Sequence, residues 1–159
     1  MLLNKPVSSM RIWMCFVKRR TWRIMKKHRL LGVPERARKQ IEGVLPGDFL
    51  LVYAGKPVNA IMAVCKVTSP LFTDTSMIWG DKDYPLRINI EPLQEFSALE
   101  DNPLPYSSIF DGQFSSSQFT PWFRGHSLIE LTERNLQLFM KAARHQQDRK
   151  VTTLASNLQ

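Results

Sequence analysis

Residues 58–67 constrain the fold more than any other stretch. Read as a strand, they place Ile61, Ala63 and Cys65 on one face and Ala60, Met62 and Val64 on the other, so both faces are apolar. A strand of that kind has to be covered twice, which puts it in a strongly bent or closed sheet, or beneath a helix. The turn at Gly55-Lys56-Pro57 joins it to a second apolar run, residues 49–54, giving a hairpin. Leu45-Pro46-Gly47-Asp48 is a turn leading into that hairpin, and Ser69-Pro70 ends it. Ile12-Trp13-Met14-Cys15-Phe16-Val17 is too short and too aromatic for a helix and reads as a further buried strand. Leu86-Arg87-Ile88-Asn89-Ile90 alternates apolar and polar as a half-buried strand does, with Pro92 closing it.

Helices frame these strands. Thr21 is placed to cap a helix from Trp22, with Ile24, Met25, His28 and Leu31 on one side and Gly32 as its stop. On this reading His28 is a half-buried structural residue. Pro34 suits the first turn of a second helix whose Ala37, Ile41 and Val44 share a face. Thr132 caps a last helix packing through Leu131, Leu136, Phe139 and Met140. Residues 97–119 carry weak patterning, and Phe119, Trp122 and Phe123 form an aromatic cluster before Arg124-Gly125. The expected architecture is α+β: one domain over residues 11–145, a loose leader at 1–10 and a flexible polar tail at 146–159. A chain of 159 residues with 43% hydrophobic residues can bury one substantial core.

The charge is unevenly placed. Residues 11–39 hold eleven Lys/Arg against Glu35 alone, a net of +10 in a chain of +8, so the remainder is −2. A local field of this kind fits a polyanion, and nucleic acid is the commonest such partner. Lys18, Arg19, Arg20, Arg23, Lys26, Lys27, Arg36, Arg38 and Lys39 are the candidate phosphate ligands. The plainer alternative is a solvated helix face. No apolar run approaches the length of a membrane span, and no signal-peptide core is present, so a cytoplasmic protein without a membrane partner is expected. Cys15 and Cys65 sit in apolar runs and read as small buried hydrophobes. His28, His126 and His145 have no ligand partners at metal spacing, and no nucleophile–base pair or phosphate-cradling glycine loop stands out. The residues therefore point to a binding module with no metal, no cofactor and no catalytic group, and a monomer is favoured.

One loop invites a ligand. Trp79 and Tyr84 stand five residues apart, with Gly80, Asp81 and Asp83 between them, on the approach to the strand at 86–90. Their two aromatic faces can hold a flat group. The competing reading makes Trp79 a core plug.

Gly32-Val33-Pro34-Glu35-Arg36, Leu45-Pro46-Gly47-Asp48, Val67-Thr68-Ser69-Pro70 and Tyr84-Pro85-Leu86-Arg87, in this order and with Trp122 and Arg124-Gly125 closing the series, resemble the EVE domain. That family belongs to the PUA-like superfamily, which also holds the YTH domains. The resemblance runs from about Arg11 to Arg144. It implies a mixed, bent β-barrel with flanking helices and a non-enzymatic reader of modified bases in RNA or DNA. The YTH pattern of two cage tryptophans five apart falls on Trp79 and Tyr84, with Leu31 at the place of the remaining wall. Backbone at Gly32 and Val33 and side chains such as Asn59, Asp81 or Asp83 would meet the base edge. The resemblance leaves open a PUA-like ribonuclease, an RNA-modification accessory domain, or a protein-interaction module whose pocket is unused.

Overall fold

The computed structural model describes residues 10–55, 59–80, 82–96, 109–110 and 127–144. The expected leader (apart from Met10), the tail, the Phe119–Phe123 aromatics and Asp81 lie outside the described residues. Seven strands form one mixed sheet: β1 (Ile12–Val17), β2 (Leu30–Val33), β3 (Phe49–Ala54), β4 (Ala60–Val67), β5 (Phe72–Thr73), β6 (Leu86–Glu95) and β7 (Leu128–Glu130). Their order is β2-β6-β4-β3-β1-β7, with β5 also beside β6. Among the described residues only the β1–β3 pairing is parallel. The sheet curls into a half-barrel carrying α1 (Arg19–His28), a 3₁₀ turn with α2 (Glu35–Ala37, Arg38–Ile41), and α3 over residues 133–144.

Alternation along the strands divides the core into two clusters, except that a bulge at Met62, opposite Val52 and Tyr53, turns Ile61 away from Ala63 and Cys65, with which plain alternation would place it. Trp13, Cys15, Leu50, Val52, Ala63 and Cys65 point to one side, where Trp22 and Met25 of α1 and Ile41 of α2 cover them. Ile12, Met14, Leu51, Tyr53 and Ile61 point to the other side, under Phe139 of α3. This is why β4 is apolar on both faces. The thiols of Cys15 and Cys65 are free and buried, and burial pushes both pKa values up, that of Cys65 to about 12. They are inert packing groups at neutral pH.

Four local expectations are corrected. The first helix begins at Arg19, so Thr21 lies inside it, and Lys18 at the N-cap makes no side-chain bond. It ends when Arg29 turns left-handed at φ 54°, three residues before Gly32; His28 is therefore exposed, and Leu30–Val33 is a strand. That strand is held by long-range pairing with β6, which local periodicity does not reveal. Pro92 does not close β6. It faces Cys65 where the register slips by one residue, a bulge that accommodates the missing N–H while the strand runs on to Glu95. On α3, Met140 is exposed while Phe139 is buried. The Thr132 cap is as expected: its hydroxyl oxygen accepts from the Asn135 backbone N–H at 3.1 Å, and Asn135 Oδ1 accepts from the Thr132 backbone N–H at 3.0 Å.

Candidate functional site

The loop between β5 and β6 leaves and re-enters the sheet at one point. Phe72 and Thr73 pair with Arg87 and Leu86, and the Asp74 N–H donates to the Pro85 carbonyl at 2.9 Å. A compact loop with joined ends needs its own side chains to fill it. Asp74 Oδ1 accepts from the Ser76 N–H at 2.9 Å, the Ile78 N–H donates to the Ser76 carbonyl, and Gly80 takes φ 70° in the turn that sets Trp79 opposite Lys82.

The Trp79 ring folds back over β2. A Cβ added to Gly32 would lie 2.5 Å from Trp79 Cη2 and 2.7 Å from Cζ3, so the indole fits there only because residue 32 has no side chain. Tyr84 meets the indole edge to face, with ring centroids 5.5 Å apart. Trp79 is 5% exposed, whereas Tyr84 is half-buried. The indole Nε1 is buried and has no hydrogen-bond partner among the described residues. A buried donor left unpaired costs about 1–3 kcal/mol.

Arg87 lies opposite Gly32 on β6, and its side chain is only 1% exposed. Its guanidinium carbon stands 5.0 Å from the Trp79 ring centroid. Nε donates to the Tyr84 carbonyl at 2.9 Å, Nη1 to Ser76 Oγ at 2.7 Å, and Nη2 to the Ser76 carbonyl; Nη1 also pairs with Asp74 at 3.3 Å. The Ser76 N–H and hydroxyl, and then the Arg87 charge, hold the Asp74 carboxyl below its ordinary value. A polar residue in an alternating strand reads as solvent-facing, so the sequence pattern gave no sign of this role for Arg87. Ser76 and Asp74 are loop residues that carry no signal of their own; only the Arg87 side chain gives them meaning.

Gly32, Trp79 and Tyr84 are brought together. Leu31 and Val33 are buried opposite Ile88 and Leu86, on the face of β2 away from Gly32. Leu30 is the leucine that shares Gly32's side, and it is half-buried. Asn59 is not brought to this site. It sits exposed at φ 50° at the tip of the β3–β4 hairpin, the end of β4 remote from the β6 start, where a left-handed turn residue is needed.

The basic candidates surround Gly32 in sequence, α1 before it and the 3₁₀ turn with α2 after it. Arg19 is half-buried and all the others are exposed. Lys26 pairs with Glu95 at 3.5 Å and Arg38 with Glu35; Lys18, Arg20, Arg23, Lys27, Arg36 and Lys39 have no acidic partner among the described residues. Arg19 and Arg20 stand in the first turn of α1, where cations oppose the helix dipole. No group of three metal-binding side chains occurs among the described residues, and no helix there is long and apolar enough to cross a membrane.

Comparison with known proteins adds to this geometry. The family model described as EVE domain matches residues 11–141. A UPF0310 protein of Pyrococcus horikoshii is 28% identical over 147 residues, covering 83% of this chain and 98% of that protein. Among solved structures, a hypothetical protein from Leishmania major aligns with TM-score 0.65 at 15% identity, covering 89% of this chain and 99% of the other. The YTH domain-containing protein mmi1, solved in a complex with RNA, aligns with TM-score 0.58 at 15% identity, covering 88% of this chain and 85% of that one. At such identities these structures show a shared fold alone.

Proposed function

This chain belongs to the EVE domain family, and from that premise we propose that it is a non-enzymatic nucleic-acid-binding module that recognises a modified base at the Trp79–Tyr84 loop. The observation carrying the reading is positional: an exposed basic segment, most of it without an acidic partner among the described residues, runs in sequence to either side of Gly32, the residue directly beneath Trp79. Phosphates flanking a flipped or single-stranded base would then meet α1 and the Glu35–Lys39 stretch while the base meets the loop. The mmi1 relative in fold, whose structure is a complex with RNA, supports the same partner class.

Within the loop, Tyr84 offers the stacking surface because it is half-exposed, and Trp79 is the wall behind it. The unpaired indole N–H is a donor for an incoming acceptor, and an orphaned buried donor calls for a functional account. Stacking is worth roughly 1–3 kcal/mol for any base. A buried methyl adds only about 0.8 kcal/mol, so discrimination depends on a polar group that is satisfied in one ligand and stranded in another.

The burial of Trp79 favours a second reading, in which the loop is plugged and only the basic face engages nucleic acid. Short oligonucleotides carrying different modified bases, titrated against the wild type and Tyr84→Ala, separate the two. Base recognition requires a preference for one modification, and that preference should weaken by about 1–3 kcal/mol in Tyr84→Ala with plain-strand affinity retained. Salt-dependent binding with no preference for any modified strand would leave the plugged loop as the description.

A further inference from the structure

We propose that Arg87 is the positioning residue that locks the loop of residues 74–84 onto β2 and so sets the selectivity of the base site; the selectivity half of this rests on the base-recognition reading. One side chain reaches the start, middle and end of the loop. Its Nη atoms hold Asp74 and Ser76, its guanidinium carbon stands over the Trp79 ring, and its Nε holds the Tyr84 carbonyl. Among its described residues the loop itself contributes few backbone bonds, from the N–H groups of Asp74, Ile78 and Lys82. A loop of that kind opens locally unless something ties it down.

The chemistry of the tie is specific to arginine. A guanidinium presents its donors as a rigid planar fork and can stack on an indole while bonding in its own plane. A lysine keeps the charge but places its donors on one point at the end of a flexible stem. The site is built for the fork on both sides of the ladder. Gly32, the cross-strand partner of Arg87, leaves the space the indole fills, and a Cβ there would collide with Trp79. A nearly fully buried cation is tolerated because Asp74, Ser76 and a main-chain carbonyl replace its water. Arg87 touches no exposed lysine or arginine of the basic segment in this network, so its work is separable from phosphate binding.

Hydrogen exchange on the unliganded protein tests the lock without reference to any ligand. In Arg87→Lys the Asp74, Ile78 and Lys82 amides should exchange roughly tenfold faster, while amides of β1 and β3 keep their protection. Wild-type exchange in this loop of a folded Arg87→Lys protein would overturn the proposal. Ser76→Ala, at an exposed position, removes the Nη1 acceptor without threatening the fold and should speed the same amides by a smaller factor; no change there would also overturn it. In binding, the ratio of modified-strand to plain-strand affinity should fall by about tenfold in Arg87→Lys, a loss of about 1.4 kcal/mol, with plain-strand affinity and its salt slope unchanged. Equal loss for both strands would overturn the positioning role. A wild type that shows no preference to lose would defeat the base-recognition reading alone, leaving the exchange result to decide on the lock.

Discussion

Two tryptophans of this protein are alike in burial and differ in everything their polar ends meet. Trp13 is 6% exposed and Trp79 is 5% exposed, and each packs its six-membered ring toward a glycine, Gly43 or Gly32. Trp13 stands mid-strand in β1, paired on both sides by β3 and β7. Its indole N–H donates to Asp48 Oδ2 at 3.1 Å, and the same buried carboxylate accepts from the Arg11 and Leu45 backbone N–H groups. Trp79 stands on a loop, and its indole N–H has no partner among the described residues. Equal burial therefore does not mean equal role. A satisfied tryptophan in a ladder is architecture, while an unsatisfied one on a side-chain-tied loop has a bond still to make.

Asp48→Ala tests the satisfied side hardest. It strands the buried Trp13 indole N–H, at about 1–3 kcal/mol for an unpaired buried donor, and removes the acceptor of two part-buried backbone N–H groups, so the loss should reach roughly 3 kcal/mol. Chemical denaturation measures it directly. The modified-to-plain binding ratio of the protein that remains folded should be unaltered, since the Asp48 carboxylate bonds Arg11, Trp13 and Leu45, none of them in the loop. A selectivity change would mean that the two regions are energetically joined.

A matched pair sharpens the contrast. Trp13→Phe and Trp79→Phe remove the same volume from sites of similar burial, so the packing losses largely cancel between them. Trp13→Phe also breaks a hydrogen bond to a carboxylate, whereas Trp79→Phe removes a donor with no partner among the described residues. Trp13→Phe should therefore be the less stable by about 1.5–3 kcal/mol, as read from the two unfolding curves. Equal stabilities would show that the Trp79 N–H is satisfied in solution.

The same contrast explains what the sequence could reveal. β1, β3, β4 and the basic segment are legible because their signals are local: apolar runs, turn residues, charge counts. The Trp79–Tyr84 pairing was visible as a spacing, and the family resemblance as an ordered set of short motifs. β2 was hidden, since its four residues become a strand only through pairing with β6. Arg87 was hidden more deeply. In a strand, period-two alternation assigns it to solvent, and only the loop folding over it reverses that. Asn59 was misjudged as a possible base contact because an asparagine supplying a left-handed turn looks the same in sequence as one supplying hydrogen bonds.

The smallest expected effect on stability belongs to the charged face, and its effect on binding is general rather than selective. Arg20, Arg23 and Lys27 lie at helical spacings of three and four on one side of α1, exposed and without acidic partners among the described residues. Reversing all three to Glu should change unfolding free energy by no more than about 0.5 kcal/mol per site, and at position 20 the new carboxylate suits the first turn better than the arginine it replaces. Binding should respond differently. If a single strand places about four phosphates on this face, log K should fall against log salt with a slope near −3, and each lost contact should flatten it by about 0.7. The triple variant should then lose affinity for modified and plain strands alike, with their ratio kept, because the Trp79 loop is untouched. A slope and affinity equal to wild type would reduce the basic segment to a solvated surface, and nucleic-acid binding would have to be sought elsewhere on the molecule. A changed ratio with an unchanged slope would instead mean that α1 reaches the base.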